Sequence, residues 1–169
     1  MWYKLDTDYA NSGFGGGDLA ATCAGDACPS VSNGAAYFDG VNDVLQVPSS
    51  FSLGGPISVA AWVKSSTPKN WERIIDFGDD GTQLDNIILS RVGTTTAVLW
   101  EIRVNGVRHA LEEEGFFDQE GVWIHVAASV EGPVDPSVQG GDLVAALIES
   151  DVLRYGLMPD YSQLDDERT

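Results

Sequence analysis

Residues 98–111 read VLWEIRVNGVRHAL, and this stretch decides the fold. Apolar and polar residues alternate in its first half, which is the period of a β-strand with one buried and one solvated face. The apolar side consists of Val98, Trp100, Ile102 and Val104. The pair Asn105-Gly106 then predicts a two-residue hairpin turn, because both turn positions need a positive φ. The stretch therefore predicts two antiparallel strands joined by a tight turn.

Short apolar runs separated by turn residues recur along the chain, which contains 19 glycines. They predict strands at residues 2–5, 35–38, 44–47, 57–63, 73–77, 86–92, 97–104, 107–111, 122–130, 143–149 and 152–155. The runs at 57–63 and 122–130 are apolar on both faces and indicate more fully buried strands. Residues 11–34 and 131–142 have the composition of loops. Because no segment shows a helical period with start and stop signals, the sequence predicts an all-β sandwich.

The length and composition suit one soluble domain, with 169 residues, 43% of them hydrophobic and 21% charged. We expect this domain to cover residues 1–160 and to be followed by a charged, frayed tail over residues 161–169. No apolar run approaches the roughly 20 residues of a membrane-spanning helix, so no membrane insertion is predicted. The first residues also lack the basic start and apolar stretch of a secretory signal.

The charge balance is strongly acidic, with 26 Asp and Glu against 9 Lys and Arg and a net charge of −17. Such a surface repels phosphate backbones and anionic lipid headgroups, so nucleic acid and membrane surfaces are poor candidates for partners. Cations, basic partners and neutral sugars suit it better. Solubility alone also explains the acidity, and the composition does not separate these interpretations.

The two cysteines, Cys23 and Cys28, enclose a short loop that contains Gly25. Such a loop can fold back far enough to bring the two sulfurs together. Since no second cysteine pair or nearby histidine completes a zinc site, a disulfide is the favoured use, and it implies an oxidising compartment. Two reduced thiols are the alternative.

Several strings of residues, in this order and spacing, resemble the laminin-G-like, pentraxin-related jelly-roll family of the concanavalin-A-like superfamily. They lie at residues 2–6, 36–43, 44–48, 57–64, 71–78 and 123–127. The resemblance implies a two-sheet antiparallel jelly-roll sandwich. In such a sandwich Trp62 and Trp123 are expected to fill the core between facing sheets. Past residue 131 the likeness weakens and the family's last strands are missing, which indicates a fragment, a divergent member or a subunit whose unfinished sheet edge is completed by a larger assembly.

The resemblance to pentraxins also implies a candidate metal site. The segment at residues 84–89 is similar to the one in which an Asp-Asn pair ahead of an apolar strand supplies calcium ligands. By that likeness Asp85 and Asn86 are calcium ligands, and Asp79 and Asp80 in the neighbouring loop can add oxygens. The other interpretation is an ordinary Asp-Asn pair that caps a turn with its side chains, and both interpretations remain open.

Other polar and aromatic residues have structural explanations or remain candidates. The cluster Asp39, Asn42 and Asp43 could hold a cation but is also typical of a tight turn. His125 lies in an apolar strand, where a hydrogen-bonded core histidine is expected. The acidic run at residues 112–114 is interpreted as a solvated face. The aromatic residues that could stack on a sugar are Trp71, Trp100 and Tyr155.

No catalytic pattern supports an enzyme. The Glu-x-Asp-x-Glu pattern of glucanases on this scaffold is absent, and neither histidine has a Gly-x-Ser-x-Gly nucleophile to serve. The sequence therefore predicts a non-catalytic recognition module that binds carbohydrate or protein, with calcium as a candidate cofactor and an extracellular or cell-surface location. The alternatives are a structural subunit that docks to a larger complex and a glycoside hydrolase on the same scaffold.

Overall fold

The structure is a computed structural model that describes residues 3–13, 19–47, 56–78, 86–131 and 144–147. Within these ranges the chain forms paired antiparallel strands and no α-helix, so the predicted all-β class is confirmed. The strands are β1 (Ser30–Ser32), β2 (Ala35–Tyr37), β3 (Ile57–Val63), β4 (Arg73–Gly78), β5 (Asn86–Arg91), β6 (Val98–Val104), β7 (Val107–Glu113), β8 (Ile124–Glu131) and β9 (Val144–Leu147).

The chain divides into two compact units, and the first covers Met1–Leu53. It contains the two-stranded sheet β1-β2, whose register pairs Ser32 with Ala35. The predicted strands at 2–5 and 44–47 are wrong for the residues described, because each range contributes only one isolated bridge. Strand β1 lies in the segment that composition assigned to a loop. A strand of only three residues has too short an alternation to be recognised.

The second unit covers Gly54–Thr169 and contains a four-stranded sheet in the order β4-β5-β6-β7. The predicted hairpin forms its far end, with Val104 paired to Val107 across the turn. Asn105 and Gly106 have φ values of 51° and 79°, the positive values that the turn requires. The four strands are therefore neighbours in the sheet in the order in which they follow one another along the chain.

A three-stranded sheet in the order β3-β8-β9 belongs to the same unit. Strand β3 matches its predicted bounds, and it pairs with β8 from Ile57↔Val130 to Val63↔Ile124. One face of this pair is apolar and carries Ile57, Val59, Ala61, Val126, Ala128 and Val130. The facing surfaces of two such sheets make the core of a sandwich. The arrangement is that of the predicted jelly-roll sandwich.

The core is centred on β5 and β6, whose residues are almost all buried. Trp100 is its largest member and is only 1% exposed. The prediction of Trp62 and Trp123 as core fillers needs correction. Both are partly exposed, and Trp62 lies on the face of β3 opposite the apolar row. Neither residue size nor apolar character shows which face of a two-sided apolar strand turns inward.

Several predictions fall outside the described residues. They are the strand at 152–155, the domain boundary at residue 160 and the tail over 161–169. Residues 131–142 were predicted as a loop, and only Glu131, the last residue of β8, is described. These remain predictions.

Candidate functional site

Among the tryptophans that the structure describes, Trp71 is the most exposed. It lies directly before β4 and is 44% exposed. Its φ of 58° is in the left-handed region, which a bulky residue other than glycine rarely adopts. The backbone N–H of Trp71 donates to the carbonyl of Gly93 at 2.9 Å, which holds this conformation. Strained positions of this kind concentrate where a side chain is held out for a ligand.

Glu72, the residue after Trp71, anchors the loop to the core through an ion pair with Arg91. Nε of Arg91 donates to Oε2 of Glu72 at 2.7 Å, and the Arg91 side chain is only 2% exposed. The guanidinium also donates to the carbonyl of Thr95 at 2.8 Å and lies 4.2 Å from the centroid of the Phe117 ring. The loop that carries Trp71 is therefore fixed to a buried cation with several partners.

Glu72 also organises the loop that precedes it. Its carboxylate accepts hydrogen bonds from the hydroxyl of Ser65 and from the backbone N–H of Lys69 at 3.1 Å. Just beyond it, the β4-β5 register shifts between Arg73 and Ile75. A bulge at this place changes the direction of the strand and of the side chains that lead into it. Together these contacts make a rigid platform for an exposed indole ring.

Polar side chains flank Trp71 on the same loop. Asn70 is exposed, and a Cβ at Gly93 would lie 3.8 Å from its Oδ1, which places the amide beside the turn that Trp71 bonds. Lys69 is also exposed. An aromatic ring bordered by an amide combines an apolar surface with a hydrogen-bonding group, as sugar ligands require.

A pair of aromatic side chains, Trp62 and His125, lies on the outer face of the three-stranded sheet. Trp62 and His125 are directly opposite each other on β3 and β8, and their ring centroids are 5.1 Å apart. The neighbouring residues on this face are small: Ser58, Ala60, Ala127 and Ser129. His125, predicted to be a core histidine, is instead partly exposed and packs on Trp62.

Of the other two predicted sugar-stacking residues, the structure excludes one and does not describe the other. Trp100 is buried at 1% exposure, so a ligand cannot reach it. Tyr155 lies outside the described residues. Trp71 is therefore the member of that group for which the structure supports the prediction.

The predicted calcium ligands are only partly described. Asp79, Asp80 and Asp85 lie outside the described residues, whereas Asn86 begins β5 and pairs with Gly78. Asn86 is 7% exposed, and its Oδ1 is buried without a hydrogen-bond partner among the residues that the structure describes. Within the described ranges no cluster of three His, Cys, Asp or Glu residues could hold a metal. Asn86, the predicted ligand that the structure describes, thus has a buried oxygen that needs a hydrogen-bond donor or a cation as its partner.

The Asp39, Asn42 and Asp43 cluster is a turn. Oδ1 of Asp39 accepts from the backbone N–H of Val41 at 2.8 Å and of Asn42 at 3.3 Å. Oδ2 of Asp43 accepts from the N–H of Asp39 at 2.7 Å. These bonds are those of side chains capping their own loop, as the structural interpretation predicts.

A charged cluster on the β6-β7 hairpin was missed by sequence reasoning. Oε1 of Glu101 accepts from Nε of Arg103 at 2.6 Å, and Oε2 accepts from Nε of Arg108. Burial alone raises the pKa of Glu101, but the two hydrogen bonds and the positive charges of the arginines outweigh it, so the pKa lies below its ordinary value. Asn105-Gly106 sets the register that brings these residues together, and that register was the available signal.

The acidic run at 112–114 is only partly the solvated face that was predicted. Glu112 is exposed, yet its Oε1 accepts a hydrogen bond from Nη2 of Arg108 at 2.9 Å. Glu113 lies within β7 and is partly exposed. Glu112 and Glu113 thus belong to strand β7, and Glu112 takes part in a specific ion pair.

The predicted disulfide is present. Cys23 and Cys28 are bonded, with their Cα atoms 5.1 Å apart, and the 3-10 turn Gly25–Ala27 lies within the loop that they close. Disulfides persist in oxidising compartments, so this bond supports the predicted location outside the cytosol.

A laminin G family model described as the concanavalin A-like lectin/glucanases superfamily matches residues 39–136, which is more than half of the chain. The chain belongs to this superfamily. Neither the curated proteins nor the solved structures include a significant match. Laminin-G-like domains often mediate binding and are typically non-catalytic, and many are extracellular. The matched range includes Trp71, Glu72, Arg91 and the whole β4-β7 sheet.

Superfamily membership defines the class of protein but not the ligand, because the description includes both lectins and glucanases. In the part of the chain that is described, no helix has the length and apolar character needed to cross a bilayer. The choice among ligands therefore rests on the geometry around Trp71 and on the charge of the surface.

Proposed function

We propose that this laminin-G-like domain is a non-catalytic, extracellular or cell-surface recognition module that binds a neutral carbohydrate on Trp71. The observation that carries the proposal is an exposed indole whose strained backbone conformation is held by a hydrogen bond to Gly93, on a loop anchored by the Glu72–Arg91 ion pair. A ring that is already fixed loses little conformational entropy when a sugar stacks on it. The net charge of −17 favours a neutral glycan over an acidic one.

The experiment measures binding of the native chain to neutral oligosaccharides, with sulfated oligosaccharides as a charge contrast, by calorimetry. Loss of an aromatic residue at the centre of a site costs at least about 2 kcal/mol, or roughly thirtyfold in dissociation constant, so Trp71→Ala should weaken binding by that factor. Trp71→Phe should retain part of the affinity. Trp62→Ala is the matched control, because it removes a partly exposed tryptophan from the outer face of a sheet away from Trp71.

Each result bears on a different site or function. Equal binding by Trp71→Ala and the native chain would exclude Trp71, and loss of binding in Trp62→Ala alone would move the site to the Trp62–His125 face. Release of reducing ends from a neutral β-glucan, abolished by replacing one carboxylate, would favour the glycosidase alternative. Absence of any glycan binding would leave a protein ligand or an assembly role as the function.

Calcium is proposed as a structural cofactor of the same domain, bound by Oδ1 of Asn86 and the carboxylates of Asp79, Asp80 and Asp85. The support is the buried Oδ1 of Asn86, which has no partner among the described residues, together with the donor chemistry of the preceding acids. A hard cation satisfies such an oxygen, whereas leaving it unpaired costs about 1–3 kcal/mol. The alternative remains a pair of turn residues.

Thermal unfolding with millimolar calcium and then with excess chelator tests this cofactor. A ligand at a hundredfold excess over its Kd stabilises the fold by about 2.7 kcal/mol, which is several degrees in Tm for a chain of this size. Asp85→Ala and Asn86→Leu should each remove that gain. In chelator Asn86→Leu should not lower the Tm much, because it removes a buried Oδ1 that has no partner among the described residues and puts an apolar group of similar size in its place. No response of the native chain to calcium would support the turn interpretation.

A further inference from the structure

Strand β7 (Val107–Glu113) is an edge of the four-stranded sheet and pairs only with β6 among the described strands. It is seven residues long, and most of its side chains are exposed. Val107 and Leu111 are 57% and 38% exposed. Long open edges are templates for pairing with another chain, and proteins usually block them with a proline, a bulge or charges. The sequence and register of β7 include neither a proline nor a bulge.

The hairpin register determines which backbone groups of β7 point outward. Val104 and Val107 flank a two-residue turn and therefore form a hydrogen-bonded pair. Because hydrogen-bonded and non-hydrogen-bonded pairs alternate, the N–H and C=O groups of Arg108, Ala110 and Glu112 face away from β6. None of these groups has a backbone partner within the described ranges. The open edge thus presents a regular row of donors and acceptors.

The charges along this edge are self-complementary. We propose that two copies of the chain pair antiparallel through β7, with a two-fold axis at Ala110, to form one continuous eight-stranded sheet. In this register Arg108 of each copy lies directly opposite Glu112 of the other, and Ala110 faces Ala110. All three are outward-facing positions, so the register that pairs the charges is also the one that forms the hydrogen bonds.

The monomer already orients the arginine for this contact. Nε of Arg108 donates to the buried Glu101, and its Nη2 donates to Oε1 of Glu112 on the same strand at 2.9 Å. The side chains of Arg108 and Glu112 are still 44% and 47% exposed, so both can be shared with a second copy. On the other face of the strand, Leu111 comes opposite His109 of the second copy, which covers part of its exposed surface.

Isologous pairing of this kind has a specific signature in charge-reversal variants. Arg108→Glu places two glutamates opposite each other at both ends of the interface, and Glu112→Arg places two arginines there. Like charges in direct opposition are strongly unfavourable, so each variant alone should weaken dimerisation by about tenfold or more. In a mixture of the two variants every opposed pair is again Glu with Arg, so a heterodimer should form.

Sedimentation equilibrium of the full chain at physiological salt tests the proposal, since screening there limits the repulsion between two acidic copies to about 8 Å. The native chain should dimerise, each variant should be monomeric, and the equimolar mixture should regain the dimer. Lys69→Glu and Glu114→Arg are the matched controls, because they change the net charge equally at exposed positions outside β7, and both should dimerise like the native chain.

Two further variants separate an interface effect from a folding effect. Ala110→Pro removes an outward N–H that the monomer does not use, and prolines are tolerated on edge strands at such positions, so it should abolish the dimer with little change in Tm. Ala110→Cys should yield a disulfide-linked dimer, because the only two native cysteines are already bonded to each other. A monomeric native chain, or a dimer that survives both Arg108→Glu and Ala110→Pro, would overturn the proposal.

Discussion

Arg91 and Glu72, which are 19 residues apart, form an ion pair with 2.7 Å between Nε and Oε2. The arginine side chain is 2% exposed and the glutamate side chain 26%. The pair therefore joins a buried cation at the end of β5 to the loop that carries Trp71. It contributes to stability and to the rigidity of the proposed binding platform.

Removing the negative charge of Glu72 should lower the free energy of unfolding. Glu72→Gln leaves the buried guanidinium of Arg91 without its counter-charge, and because Glu72 is itself 26% exposed the cost should be about 1–3 kcal/mol, the range for losing a hydrogen bond to a charged group. Urea unfolding monitored by tryptophan fluorescence measures the loss. Glu114→Gln, at an exposed position, is the control and should change stability by less than about 0.5 kcal/mol. Equal stability of the two variants would show that Arg91 is held by Thr95 and Phe117 alone.

The same substitution should also weaken ligand binding if Trp71 contacts the sugar. Loss of the Glu72 anchor frees the loop, so more conformational entropy is lost on binding. We expect a higher Kd for Glu72→Gln at a temperature where the variant is still folded, measured by calorimetry. Unchanged affinity would mean that the hydrogen bond from Trp71 to Gly93 is sufficient to hold the indole.

The Glu101 cluster predicts loss of stability in acid. The folded-state pKa of Glu101 lies below its ordinary value of 4.5, so its contribution is present above that pH and disappears as the pH falls through the folded pKa. Glu101→Gln should be less stable than the native chain by about 1–3 kcal/mol near neutral pH, because charged hydrogen bonds to two arginines are lost. The difference should narrow below a pH of about 4. A difference that is independent of pH would assign the effect to packing.

The sequence predicted the strands of the second unit well because their signals are local. Alternation in β6 and the Asn105-Gly106 turn fix the hairpin and its register, and β3 follows its predicted bounds. Interactions between distant segments carry no such signal. The Glu72–Arg91 pair joins the residue before β4 to the last residue of β5, and no spacing in the sequence indicates that they meet.

The candidate site was only partly predictable for the same reason. Trp71 was identified as an aromatic residue that could stack on a sugar, but its position depends on the anchored loop that carries it and on the bulge that follows it. The calcium prediction came from a resemblance, and of its four residues the structure describes Asn86 alone. Chemistry-bearing residues can thus be listed from sequence, whereas their accessibility depends on tertiary packing.

The disulfide should stabilise the first unit modestly. Cys23 and Cys28 close a short loop with a sequence separation of 5, for which the chain-entropy model gives about 2 kcal/mol. Replacing both cysteines by serine should raise amide hydrogen exchange at residues 21–46 and leave exchange in β5 and β6 unchanged. Equal effects on both units would show that they unfold together.

Substitution of individual tryptophans should distinguish the core from the outer face. Trp100 is 1% exposed, so Trp100→Ala should cost about 3–5 kcal/mol through lost burial and a cavity. Trp62 lies on the outer face against His125, so Trp62→Ala should cost only about 1 kcal/mol, which is the order of a single aromatic contact. Urea unfolding of both variants gives the comparison. Because Nε1 of Trp100 is buried without a partner among the described residues, Trp100→Phe removes an unpaired N–H and should be much milder than Trp100→Ala. If Trp62→Ala proved the more damaging variant, the face of β3 that carries Trp62 would be the one packed in the core.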